Sequence, residues 1–184
     1  MSRVTPSCGI VLAGASCTGK SRMLDEISES DLKVTTLEME RLRIKNAQAG
    51  LPNELAWLNA TLPAPEFRAW VDKGALHSQG ARVGLLRLVV DGKPFICTCG
   101  GLSGPDDPFY GLLMKELGVR IFHVLVDPPL LIHLLWILKR GRIHRSMEFL
   151  SKQRRNSELE WDASIRTADQ LRECAEAWLI PSSR

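Results

Sequence analysis

The amino-acid sequence predicts an α/β protein in which helices flank a mainly parallel, five-stranded sheet. Short apolar runs alternate with longer amphipathic ones, which is the pattern of parallel strands joined by helical crossovers. The chain has 184 residues, 45% of them hydrophobic and 24% charged. That length can bury a core without disulfides, and that composition is typical of a globular chain. We therefore expect one domain over residues 1–184.

The strands and helices follow from the period of the apolar residues. Five apolar runs of strand length are the predicted strands, at 9–13, 34–37, 94–99, 120–126 and 162–165. The stretches with helical spacing are the predicted helices, at 20–29, 38–49, 66–90 and 109–117 and from 127 and 167 onward. Strands and helices thus alternate along most of the chain, as the fold class requires.

A few residues predict where helices begin or are interrupted. Asp127 precedes two prolines, which predicts a helix with the aspartate as its cap and proline in its first turn. Thr167 and Gln170 have the spacing of a capping box. Three prolines within 51–65 predict a loop, and three glycines weaken the continuity of the helix at 66–90.

Charge, cysteine content and hydropathy exclude several classes of protein. The formal net charge of +3 is too small to indicate a nucleic-acid partner by itself. Five cysteines, mostly within apolar runs, predict reduced core thiols and not a disulfide framework. The apolar stretch 121–138 is interrupted by Asp127 and two prolines, which favours a strand and a helix over a membrane span. We expect a cytoplasmic protein with no membrane partner.

The strongest motif lies between the first strand and the first helix. The segment Gly14-Ala15-Ser16-Cys17-Thr18-Gly19-Lys20-Ser21 matches the phosphate-loop pattern G-x-x-x-x-G-K-[ST]. Its glycines let backbone N–H groups surround a phosphate at the positive end of a helix. Lys20 would reach the β- and γ-phosphates, and the Ser21 hydroxyl would join a Mg²⁺ shell. We predict that these residues and Arg22 bind ATP with Mg²⁺.

The chain resembles the nucleoside monophosphate kinase-like group, above all shikimate kinase and the related gluconate and chloramphenicol kinases. Besides the phosphate loop, Phe67-Arg68 resembles the acceptor-binding motif of shikimate kinases, and Gly100-Gly101 resembles the glycine run after their third strand. The resemblance implies a three-layer P-loop NTPase fold with a basic lid at about 139–156. It also implies that Arg68, Gly100 and Gly101 bind the acceptor.

The departures from shikimate kinases concern the acceptor. Glu38 and Glu40 stand where those enzymes carry Asp-x-Asp, and Val71 stands three residues after Arg68, where they carry glutamate. Only two glycines follow the third strand. These differences argue against shikimate itself as the acceptor.

Glu38 and Glu40 are the predicted catalytic carboxylates. The end of a strand beside the phosphate loop is where ligands bind in open α/β sheets. One carboxylate could orient Mg²⁺, for which Ser21 and Glu38 are the predicted ligands, and the other could accept the proton of the hydroxyl. The alternative is that both are exposed acids in a helix's first turn. The reserve candidates are Asp91, Asp106 and Asp107.

The densest cationic stretch follows the fourth strand and its helix. Arg140, Arg142 and Arg145 are candidates to contact the transferring phosphate from a closing lid, and with Lys20 the first two complete the predicted catalytic set. The alternatives are a solvated basic surface and a contact surface for a DNA backbone. His133 is predicted to be a core or pocket residue. One of the tryptophans could stack on a base, and the sequence leaves open which of Trp57, Trp70, Trp136, Trp161 and Trp178 it is.

The sequence is compatible with three functions. The first is an ATP- and Mg²⁺-dependent kinase that phosphorylates a hydroxyl group of a small molecule. The second is a kinase for a nucleotide or for a hydroxymethylated base in DNA, as in phage DNA modification. The third is a nucleotide-binding regulatory module with little turnover. The absence of an Asn/Thr-Lys-x-Asp guanine signature argues against a switch, so the sequence favours a kinase.

Overall fold

A computed structural model describes residues 7–38, 51–73, 76–98, 105 and 107–180. Its sheet has five parallel strands in the order β2-β3-β1-β4-β5. The strands are β1 (Cys8–Ala13), β2 (Thr35–Glu38), β3 (Phe95–Thr98), β4 (Arg120–Val126) and β5 (Ala163–Ile165). The five-stranded parallel sheet predicted from the sequence is therefore confirmed.

Helices cover both faces of this sheet. In chain order they are α1 (Lys20–Ser28), α2 (Leu51–Thr61), α3 (Pro65–Asp72), α4 (Leu76–Val90), α5 (Pro108–Leu117), α6 (Leu130–Lys139), α7 (Ser146–Ser157) and α8 (Ala168–Trp178). A short 3-10 turn, Ile143–Arg145, joins α6 to α7. No helix in the described part of the chain is both long enough and apolar enough to cross a membrane.

Strand β1 is the central strand of the sheet, and all six of its residues are therefore buried. It pairs with β3 on one side and with β4 on the other. Gly9 allows the close approach to β3, since a Cβ atom at Gly9 would lie 2.1 Å from the Phe95 ring. The loop that follows β1 therefore leaves the sheet at its middle, between two neighbouring strands.

Two apolar cores lie on opposite faces of the sheet, and a third cluster lies beside the phosphate loop. One core packs α2, α3, α4 and α5 against the sheet, and the other packs α1 and α8. The third cluster joins Ala15 and Cys17 of the loop to Ile137 of α6 and Phe149 of α7. It fixes α6 and α7 against the loop that the sequence singles out.

One predicted loop and one predicted helix cap are wrong. Residues 51–61 form helix α2, not a loop, because Pro52 falls in the first turn, where proline's missing N–H has no helical partner. Asp127 does not cap α6, which begins at Leu130 after an N-cap at Pro129. Its carboxylate instead accepts a hydrogen bond of 2.8 Å from Gln153 Nε2.

Other predicted features are confirmed. The Thr167–Gln170 capping box begins α8 with both of its hydrogen bonds present. The stretch predicted as helical at 66–90 divides into α3 and α4, but α4 continues through Gly80 and Gly84, where a weakness was also predicted. Cys8, Cys17 and Cys97 are buried thiols, as predicted. The helix predicted at 38–49 lies outside the described residues, apart from Glu38, which ends β2.

Candidate active site

The phosphate loop owes its shape to left-handed backbone at three positions. Gly14 has φ 146°, Gly19 has φ 94° and Cys17, an unusual non-glycine residue in this region, has φ 64°. These conformations turn the chain tightly between β1 and α1, so that Lys20 and Ser21 stand in the first turn of α1. The N-terminus of α1 thus opens toward the loop, as an anion site requires.

Gly14→Ala is expected to destabilise the protein by about 1–3 kcal/mol, because a side chain is strained at this backbone conformation. A Cβ atom there would also lie 2.9 Å from the Val126 carbonyl oxygen and 2.9 Å from Thr18 Oγ1. Thermal unfolding measures the loss. The matched control is Gly111→Ala on α5, where nothing lies within 4 Å and alanine should stabilise the helix by about 0.5–1 kcal/mol. Equal unfolding temperatures for the two variants would contradict this account of the loop.

The Lys20 ammonium lies within the concave side of the loop. Lys20 Nζ donates hydrogen bonds to the carbonyl oxygens of Gly14 at 2.9 Å and Ala15 at 2.7 Å, and it lies 3.3 Å from Thr18 Oγ1. A cation held among oxygen atoms in this way can exchange them for phosphate oxygens without a change of fold. The loop therefore presents a positive charge together with the helix terminus.

Ser21 and Glu38 meet at the carboxyl edge of the sheet. The Ser21 hydroxyl donates a hydrogen bond to Glu38 Oε1, which joins the start of α1 to the end of β2. Glu38 is the last residue of β2 and is half-buried, so the alternative that it is an exposed acid in a helix's first turn is wrong. A hydroxyl beside a carboxylate is an all-oxygen donor set, which fits Mg²⁺. Glu40 lies outside the described residues.

Two side chains from α6 and α7 hold the first half of the loop. His133 is buried, as predicted, and its Nε2 lies 2.8 Å from the Ser16 carbonyl oxygen. Gln153 Oε1 accepts a hydrogen bond of 2.9 Å from the Ala15 N–H, and its Nε2 donates to the Val126 carbonyl at 3.1 Å. Gln153 is not among the site residues that the sequence predicts. The sequence feature that could have indicated Gln153 is its spacing: it follows Phe149 by four residues and so shares the buried face of an otherwise charged helix.

The three candidate arginines of the basic stretch occupy different places. Arg145 donates two hydrogen bonds to the Glu148 carboxylate, at 2.8 and 2.7 Å, which raise the pKa of Arg145 and lower the pKa of Glu148. Arg142 is exposed in the turn after α6. Arg140 borders a cavity that also touches the phosphate loop. Arg140 thus shares a cavity with the loop residues Cys17 and Gly19, whereas Arg145 is engaged by Glu148 and lies over the Phe149 ring.

The predicted acceptor-binding residues and reserve carboxylates that the structure describes lie at several different places. Arg68 Nε donates to the Asp72 carboxylate at 2.8 and 3.0 Å on the surface of α3. Asp91 is exposed in the turn before β3, at the opposite edge of the sheet, so it is excluded as a catalytic carboxylate. Asp107 caps α5 by accepting from the Phe109 N–H. Gly100, Gly101 and Asp106 lie outside the described residues.

The fold and the loop geometry define the class: a three-layer α/β protein of the P-loop NTPase type. No protein-family model and no curated protein sequence matches the chain. Solved structures do match. Shikimate kinase from Aquifex aeolicus vf5 is 18% identical, with a TM-score of 0.52 over 92% of this chain and 96% of that one.

Two further structures have the same architecture. Shikimate kinase from Acinetobacter baumannii in complex with shikimate is 16% identical, with a TM-score of 0.50 over 95% of this chain and 93% of that one. A chain of the Pnkp1/Rnl/Hen1 RNA repair complex is 13% identical, with a TM-score of 0.50 over 84% of this chain and 47% of that one. The chain thus has the fold of shikimate kinases, and the resemblance seen in the sequence is confirmed at the level of the fold.

Proposed function

We propose that this protein is an ATP- and Mg²⁺-dependent phosphotransferase that transfers the γ-phosphate to a hydroxyl group of a small-molecule acceptor. The observation that carries the proposal is the arrangement at the carboxyl edge of the sheet. Lys20 lies inside the phosphate loop, and the Ser21 hydroxyl is bonded to the Glu38 carboxylate. Phosphoryl transfer requires mainly this positioning of charge around the phosphates.

Each predicted site residue has a role in the proposed reaction. Lys20 moves from the loop carbonyls to oxygens of the β- and γ-phosphates and offsets the charge that develops during transfer. Ser21 and Glu38 would hold Mg²⁺, which when bound neutralises phosphate charge. Arg140 and Arg142 belong to the proposed lid and would contact the phosphates when it closes, a role supported by the cavity that Arg140 shares with the loop. Glu40 is the proposed acceptor of the hydroxyl proton.

The acceptor side supports a compound other than shikimate. Val71 is fully buried in the core that α3 joins, so the position where shikimate kinases carry glutamate faces apolar side chains here. The neighbouring Arg68 is paired with Asp72. If Arg68 binds the acceptor together with Gly100 and Gly101, it must first leave this ion pair, which at a surface contributes only about 0–1 kcal/mol.

A nucleic-acid acceptor is the second candidate. One of the similar structures is a chain of an RNA repair complex. The stretch from Lys139 to Arg145 also carries no acidic residue, and Lys139, Arg140 and Arg142 are exposed. A DNA or RNA backbone would bind such a surface with a strong dependence on salt.

The proposal is tested with γ-labelled ATP, Mg²⁺ and a mixed pool of metabolites, nucleosides, plain DNA and hydroxymethylated DNA. Products are separated by size before counting. Label in the small-molecule fraction is the expected result, and label in the polymer fraction would establish the second candidate. If the folded chain binds ATP but labels neither fraction, a regulatory module replaces both.

A further inference from the structure

A small cavity opens beside the phosphate loop, and Ser21 and Glu38 are not among the residues that line it. Its volume is about 180 Å³, and it is lined by Cys17, Gly19, Arg22, Trp136, Lys139 and Arg140. Pockets that enclose drug-sized ligands are larger, about 300–1,000 Å³. The cavity can therefore take one planar ring system and not a whole nucleotide.

The indole of Trp136 forms one wall of this cavity. A Cβ atom at Gly19 would lie 3.0 Å from Trp136 Cζ3 and 3.2 Å from Cη2, so the ring rests directly on the phosphate loop. The next residue, Ile137, is fully buried against Ala15 and Cys17 and fixes α6 at this point. The Trp136 ring is thus fixed against the loop, because it packs on Gly19 and because its neighbour Ile137 is buried among loop residues.

The other tryptophans are occupied elsewhere. Trp70 stacks on Phe109 with ring centroids 3.3 Å apart, and Trp178 stacks on Phe122 at 4.5 Å. Trp57 faces the Arg87 guanidinium, and Trp161 Nε1 donates to a backbone carbonyl. All five tryptophans are among the described residues, and Trp136 lines a cavity together with Cys17 and Gly19 of the phosphate loop.

The cavity borders the first turn of α1, where Lys20 and Ser21 also lie. In a phosphate loop the lysine and the following serine mark the β/γ end, where Mg²⁺ binds. The chain of phosphates then runs toward the α-phosphate and the nucleoside, past the first turn of α1. Arg22, the next residue in that turn, lines the cavity, and Lys139 and Arg140 add positive charge at its rim.

We propose that the base of the bound nucleoside triphosphate stacks on the indole ring of Trp136, a role that rests on the proposed function. Stacking on an aromatic ring is tolerant of base identity because every base has a π-face. Lys139 and Arg140 lie where the ribose and α-phosphate would pass. In this proposal Trp136 determines the affinity for the nucleoside, and the phosphate loop determines the affinity for the phosphates.

The test compares two probes, MgATP and magnesium tripolyphosphate, by calorimetric titration of the folded chain. The wild type is expected to bind ATP more tightly than tripolyphosphate. Trp136→Leu should weaken ATP binding about 5- to 100-fold, while tripolyphosphate binding stays unchanged. Trp136→Phe, which keeps an aromatic ring and is the safer variant for folding, should retain most of the preference. Trp57→Leu, in the core on the other face of the sheet, is the control and should change neither affinity.

Each alternative outcome identifies which proposal fails. If Trp136→Leu and Trp136→Phe both keep the full preference for ATP, the stacking proposal is overturned and the phosphotransferase proposal stands. Equal losses for ATP and tripolyphosphate in folded variants would also overturn it, because Trp136 would then support the loop and not the base. A wild-type chain that binds neither probe would overturn the proposed function itself.

Discussion

Lys20→Ala is expected to lower the rate of phosphoryl transfer by at least about 10²–10³-fold while the chain stays folded, since removing one preorganised electrostatic contact has an effect of that size. The ammonium group of Lys20 lies among the loop oxygens of Gly14, Ala15 and Thr18, outside the apolar cores. Its loss removes charge from the phosphate site without opening a cavity. The initial rate of transfer from γ-labelled ATP measures the effect, and thermal unfolding verifies the fold.

The matched control for this variant is Lys115→Ala. Lys115 is an exposed residue of α5 that pairs with its neighbour Glu116, so its replacement removes the same charge far from the loop. Activity close to that of the wild type is expected. Normal turnover in Lys20→Ala would show that the phosphate loop is not the site of transfer.

Glu38→Gln is expected to lower turnover by about 10²–10⁴-fold, the range associated with a carboxylate that acts in proton transfer or in holding the reacting groups. Glutamine has nearly the same shape and can still accept the hydrogen bond from the Ser21 hydroxyl, so the junction between α1 and β2 should remain. Because the variant lacks one negative charge beside Ser21, it should also need more Mg²⁺ to reach half of its maximal rate. A titration of the rate against Mg²⁺ measures both effects.

The control for Glu38→Gln is Glu116→Gln, which makes the same change on the surface of α5. Glu40→Gln completes the set and tests the second proposed carboxylate. If Glu38→Gln and Glu40→Gln both turn over at the wild-type rate, the carboxylate role moves to the aspartates near residue 106.

The parts of the fold that depend on local sequence were predictable. The period of apolar residues gave five strands, and the bounds of β4 agree with the prediction at both ends. The phosphate loop is also local, because its glycines, lysine and serine are adjacent in the chain. The helix at Leu51–Thr61 was missed because proline is a helix breaker in the interior but is tolerated in the first turn.

The parts of the site that depend on distant contacts were not predictable. Gln153 reaches the Ala15 N–H across 138 residues of sequence, and nothing near either residue indicates the pairing. Trp136 is one of five tryptophans, and only the packing of α6 against the loop distinguishes it. Asp127 has the sequence of a helix cap, but tertiary contacts with Gln153 and β5 engage it instead.

The most direct test of this account is a calorimetric titration of the folded wild-type chain with ATP, performed with Mg²⁺ and again with a chelator. Saturable binding of one ATP per chain, tighter with Mg²⁺, is the expected result, because Ser21 and Glu38 lie beside the loop that would hold the phosphates. If a chain with a cooperative unfolding transition bound no ATP, the proposed function would be contradicted, because a correctly folded phosphate loop would then not bind a nucleotide.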